Sequence, residues 1–155
     1  MCYDLNFDWN SPLFYLNHLY HDNVDEKFLD IFKDKINWRY LCQFAYLDEI
    51  TIRKYITYID WIVLSKYQVL SENFIDEFQD KVIWSSISWC QKLSEEFMEK
   101  FSDKLNWNDL AKYQKMSNSF IEKHLNKMDP VILLNSQKKL SKNLKKSILN
   151  IFTFS

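Results

Sequence analysis

The chain has 155 residues and a mass of 19.0 kDa, the size of one domain or one short array. Apolar residues make up 47% and charged residues 26%, a globular balance, and glycine is absent where average usage of about 7% would supply roughly eleven. Without glycine no phosphate-cradling loop, dinucleotide fingerprint or glycine-flanked nucleophile elbow can be written.

Net charge is −1 but unevenly spread: residues 1–34 carry −5, residues 35–110 carry −3 and residues 111–155 carry +7. Such asymmetry bears on partners rather than on fold. The first residues, MCYDLNFDWN, lack the basic flank and apolar stretch of a secretory leader. No run approaches the eighteen apolar residues of a bilayer span. The three cysteines (Cys2, Cys42 and Cys90) are odd in number and lack metal-ligand spacing, so they read as reduced thiols. A cytoplasmic protein without a membrane partner is expected.

Taken in order, Ser11 and Pro12 open a first helix that should run to about Tyr20, since proline is favoured in a first helical turn. Residues 1–23 form an N-terminal cap in this reading, 24–139 the repeats and 140–155 a C-terminal cap, all within one domain. Four tryptophans set the repeat: Trp38, Trp61, Trp84 and Trp107 are each 23 residues apart, and the next step lands on Pro130. Six residues before each mark stand Phe32, Tyr55, Phe78, Phe101 and His124. Four after stand Cys42, Ser65, Ser88, Ala111 and Leu134, and seven after stand Ala45, Gln68, Gln91, Gln114 and Gln137. Trp38, Trp61, Trp84, Trp107, Phe32, Phe78 and Phe101 are therefore the expected repeat core.

Each unit reads as two short helices. In LSENFIDEFQDKVIWSSISWCQK, Phe74, Ile75, Phe78 and Val82 follow helical periodicity behind Ser71, a candidate N-cap, and Ser94 repeats the device. The second helix should begin at the tryptophan, capped by Asn37, Asp60, Asn106 or Asp129, with Ile83 the exception. The small residues four past the mark would let helices approach closely. Helix ends must turn without glycine, so each glutamine is expected to satisfy a free backbone group at its corner. A last helix is expected over about Ser141 to Phe152, lysines outward. The fold class is thus all-α, an α-solenoid-like array of helix-turn-helix repeats with terminal capping helices.

Little here points to chemistry. His18, His21 and Asp22 lie together, but a further metal ligand is not evident. His124 stands in an aromatic column and reads as a core-edge side chain. The paired acids Glu95/Glu96 and Asp76/Glu77 sit where capping and solvation explain them. No metal, cofactor or enzymatic activity is expected. Lys138, Lys139, Lys142, Lys145 and Lys146 form the remaining candidate site, with the first, third, fourth and fifth of them on overlapping faces of one helix. They would bind nucleic acid or an acidic partner, or serve only as a solvated helix face that complements the C-terminal dipole.

The unit LSEEFMEKFSDKLNWNDLAKYQK from Leu93 resembles short Trp- and Phe-containing helical repeats of large DNA viruses and phages, over roughly residues 24–152 and best in 70–128. The resemblance implies a helical scaffold and a viral or phage origin, and it carries over no catalytic residue. The expected function is a non-enzymatic protein-interaction scaffold. For a viral protein this means binding a host protein, such as a defence component, in the host cytoplasm and altering or inhibiting it. The alternative is nucleic-acid binding through the basic C-terminal surface.

Overall fold

The structure, a computed structural model, describes residues 8–18 and 24–153. Among these residues the chain forms twelve α-helices and one 3-10 turn. In order they are α1 (Pro12–His18), α2 (Glu26–Phe32), α3 (Trp38–Phe44), α4 (Glu49–Lys54), α5 (Trp61–Tyr67), α6 (Glu72–Glu77), α7 (Trp84–Cys90), α8 (Glu95–Lys100), α9 (Trp107–Tyr113), α10 (Asn118–Lys123), α11 (Pro130–Ser136) and α12 (Lys142–Thr153). The architecture is the all-α helical repeat array read from the 23-residue spacing, with a second helix opening at every mark from Trp38 to Pro130. The chain divides into two compact units, Met1–Val82 and Ile83–Ser155.

Most of these helices have only six or seven residues, well below the roughly 12–15 at which an isolated helix becomes even marginally stable. Caps and packing must therefore hold them. Asp25, Asp48, Ser71, Ser94 and Ser117 cap the first helices, and Asn37, Asp60, Asn106 and Asp129 cap the second, each accepting a backbone N–H through its side chain. Ile83, as expected, gives α7 no side-chain cap.

The helix ends explain how the chain manages without glycine. First helices end on Tyr55, Phe78, Phe101 and His124 at φ between −106° and −113°, and second helices end on Ala45, Gln68, Gln91 and Gln114 in extended backbone near φ −90°. None of these caps needs the left-handed region that glycine serves. The carbonyl of Phe78 accepts from Lys81 and Val82 N–H, and that of Phe101 from Lys104 and Leu105 N–H, so two orphan donors close each turn.

In the first unit α1 packs on α3 and α3 on α5; in the second, α7 packs on α9, α9 on α11 and α11 on α12. The small residues four past each mark lie at these contacts, and Cys42, Ser65, Ser88 and Ala111 are wholly buried. They do more than make room. Ser88 Oγ donates to Trp84 O and accepts from Asn106 N–H at 2.9 Å, so it feeds the cap of the next second helix. The Asp60 amide points at the Cys42 thiol in the same register, and burial pushes that thiol up to about 12. Tyr15 Oη serves this purpose for Asn37 N–H at 2.6 Å.

Each indole of the 23-residue register lies against the first helix of the following repeat. Trp61 meets Phe74 and Phe78, Trp84 meets Phe97 and Phe101, and Trp107 meets Phe120 and His124, at centroid separations of 4.6–6.5 Å. Trp38 meets Tyr55 and Tyr58. Trp38, Trp107, Phe32 and Phe101 are buried, whereas Trp61, Trp84 and Phe78 are only half-buried. A lysine covers the outer part of each partly exposed ring: Lys81 Nζ lies 5.6 Å from the Trp61 ring and Lys104 Nζ 5.3 Å from that of Trp84.

The front of the array departs from the frame. The position 23 before Trp38 is Tyr15, and the indole comes instead from Trp9, whose ring lies 5.9 Å from Phe28 and 5.2 Å from Phe32. Tyr20, the expected end of α1, lies outside the described residues. At the other end α12 begins at Lys142, one residue later than expected, because Ser141 is its cap: Ser141 Oγ accepts from Leu144 N–H at 3.1 Å.

Candidate interaction surface

Gln68, Gln114 and Gln137 are structural, as expected, but each serves the preceding repeat rather than its own corner. Gln114 Nε2 donates to Ser88 O (3.1 Å) and Gln91 O (2.7 Å), while its Oε1 accepts from Leu93 N–H at 3.2 Å. Gln68 makes the same three bonds to Cys42 O, Ala45 O and Leu47 N–H in the first unit. Gln137 Nε2 reaches Ala111 O and Gln114 O. One amide thus closes the far end of a helix that began 30 residues earlier in the chain. A second ladder runs along the first helices: Glu49 accepts from Ser71 N–H, Glu95 from Ser117 N–H and Asn118 Oδ1 from Ser141 N–H.

His124 belongs to a third set of such links. Its ring is buried against Trp107 and Phe120, and its Nε2 lies 2.7 Å from Glu99 Oε2. Lys123 pairs with the same carboxylate at 3.0 Å and, with His124, holds Glu99 below the usual carboxylate range. Three repeats earlier the same columns hold Tyr55, Lys54 and Asp30. Tyr55 Oη donates to Asp30 at 2.6 Å, and this bond, followed by Lys54, lowers the Asp30 carboxyl. Histidine has therefore replaced tyrosine in a link between repeats.

The side chains of His18, His21 and Asp22 lie outside the described residues. Among the described residues no group of three or more His, Cys, Asp or Glu could hold a metal ion, and no helix is long and apolar enough to cross a membrane.

The five-lysine cluster is divided by the structure. Only Lys142, Lys145 and Lys146 lie on α12, where they are exposed while Leu144 and Ile148 face inward. Lys138 and Lys139 are not on that helix face, because Leu140 is buried and Ser141 is the cap, so the chain turns between them and α12. They line instead a groove of about 430 Å³ between the corners that follow α9 and α11. Lys112, Tyr113, Lys115 and Met116 complete its outer lining, and no acidic residue contributes. Lys112 and Lys115 escaped the reading from sequence, which followed local density of lysines. The signal was present in the repeat register: Lys92, Lys115 and Lys138 each follow a glutamine and are 23 residues apart.

Exposed aromatics adjoin this groove. Tyr113 is 50% and Trp89 40% exposed, and their rings lie 6.0 Å apart across α9 and α7. Lys112 Nζ sits 5.0 Å from the Tyr113 ring. Exposed amphipathic rings such as these, with Met116 beside them, are the side chains enriched at recognition surfaces, and the lysines add a field that favours an acidic partner. No family model, curated protein or solved structure matches this chain. The resemblance to viral and phage repeats rests on the motif columns alone.

Proposed function

We propose that this chain is a non-enzymatic scaffold that binds a protein partner through the exposed aromatic and lysine surface of residues 83–155. The observation that carries the reading is the Trp89–Tyr113 pair, open to solvent beside a groove lined by four lysines. The buried polar side chains Gln68, Ser88, Gln114 and His124 serve the links between repeats. An array of this kind offers an extended face for a partner. Where the viral resemblance holds, the partner is a host protein met in the cytoplasm, and binding would modulate or inhibit it.

The test is affinity capture from a cell lysate with the wild-type chain and with a Trp89→Ala/Tyr113→Ala variant of matching circular dichroism. Proteins retained by the first and released by the second support the proposal. An identical set on both, or none on either, refutes it. A second reading, single-stranded nucleic-acid binding, draws on the same rings as stacking platforms and on the lysines as phosphate contacts. It requires affinity that falls steeply with salt and is lost on charge reversal at Lys142, Lys145 and Lys146.

A further inference from the structure

We infer that the groove between the corners after α9 and α11 takes an extended acidic segment of the partner, with an apolar side chain between two carboxylates. This deepens the scaffold reading and rests on it. Lys112, Lys115, Lys138 and Lys139 line one groove with no acid among them, and none of the four makes an ion pair among the described residues. The groove also has an apolar component in Tyr113 and Met116, so its occupant carries an apolar group as well as negative charge.

Chemistry separates a peptide from a nucleic acid here. Specific phosphate and base recognition draws heavily on the planar fork of arginine. Both arginines, Arg39 and Arg53, lie outside residues 83–155 and pair with Asp60 and with Glu49 and Glu77. The side-chain amides of Gln114 and Gln137, which would otherwise read base edges, are committed to backbone carbonyls. What remains is ammonium charge, one ring and one thioether, which suits carboxylates around an apolar side chain.

Spacing sharpens the assignment. Lys115 and Lys138 hold the same position in successive repeats, and packed helices lie about 8–10 Å apart. An extended chain rises about 3.3 Å per residue and turns alternate side chains to one face, so carboxylates four residues apart lie on one face about 13 Å apart, a span that the flexible lysine stems meet. The residue midway between them points to the same face and is then placed over Tyr113 and Met116.

The probe is a fluorescein-labelled octapeptide with two aspartates four positions apart and a phenylalanine midway between them, followed by anisotropy with the full chain. Its asparagine counterpart and an eight-nucleotide oligothymidylate are the controls. The acidic peptide should bind at least about tenfold more tightly than either control. Lys115→Glu/Lys138→Glu should weaken it about tenfold, and Lys142→Glu/Lys145→Glu, equal in charge but outside the groove, less than about threefold. Equal losses for the two pairs, or tighter binding of the oligonucleotide, would overturn the assignment. If the peptide does not bind, the groove inference falls, while lysate capture sensitive to Trp89 and Tyr113 keeps the scaffold standing.

Discussion

Replacing Gln114 by leucine keeps the side chain's approximate volume and removes three buried hydrogen bonds at once. Leu93 N–H loses its acceptor, and Ser88 O and Gln91 O lose a shared donor. Gln114 is only 8% exposed, so water cannot readily take its place. An orphaned buried N–H costs about 1–3 kcal/mol and each lost neutral bond to a carbonyl about 1 kcal/mol. The added apolar surface offsets part of this, leaving an expected loss of about 2–4 kcal/mol. Urea unfolding followed by circular dichroism would measure it, and hydrogen exchange at Leu93 would show whether the loss originates at that corner. Gln114→Glu should be at least as harmful, because a carboxylate repels the two carbonyl oxygens. A Gln114→Leu loss below about 1 kcal/mol, with Leu93 exchange unchanged, would refute the view that this amide closes the preceding repeat.

Three further outcomes follow from the same geometry. Trp107→Ala removes a buried ring against Phe120 and His124 and the indole N–H bond to Ser102 O, and should cost about 3–5 kcal/mol in the same urea assay. Ser94→Ala removes the cap that holds Phe97 N–H and should cost about 1 kcal/mol, whereas Ser94→Asp should cost little, as read from thermal midpoints. The Asp48 carboxyl is held below its usual value chiefly by the Thr51 N–H that it caps. A lowered folded-state value gives stability that is present above the unfolded value, near pH 3.9, and lost as pH falls through the folded one. Asparagine caps without titrating. The stability of the wild type relative to Asp48→Asn should therefore decline from pH 5 to pH 2.5, and a difference flat across that range would contradict the cap.

The helices, their caps and the repeat register were determined by the sequence alone, because each rests on local rules. A serine or asparagine four residues before a buried apolar side chain, a proline at the first turn and a 23-residue aromatic spacing mean the same thing in any surroundings. Ser71, Asn106 and Asp129 act at the positions those rules assign. The tertiary structure decided what lies between repeats. That Gln114 reaches back to Leu93 and not to its own corner depends on how α9 stacks on α7. Trp9, off the register, supplies the ring that Tyr15 does not, because what Phe28 and Phe32 require is a ring in space rather than a position in the chain. Lysine density pointed to 138–146 as one cluster, yet the buried Leu140 and the Ser141 cap turn the chain within it. Two of those lysines therefore join Lys112 and Lys115, more than twenty residues away, around a single groove. Charges become neighbours through packing, and packing between turns of an array is a property of surfaces that no single repeat contains.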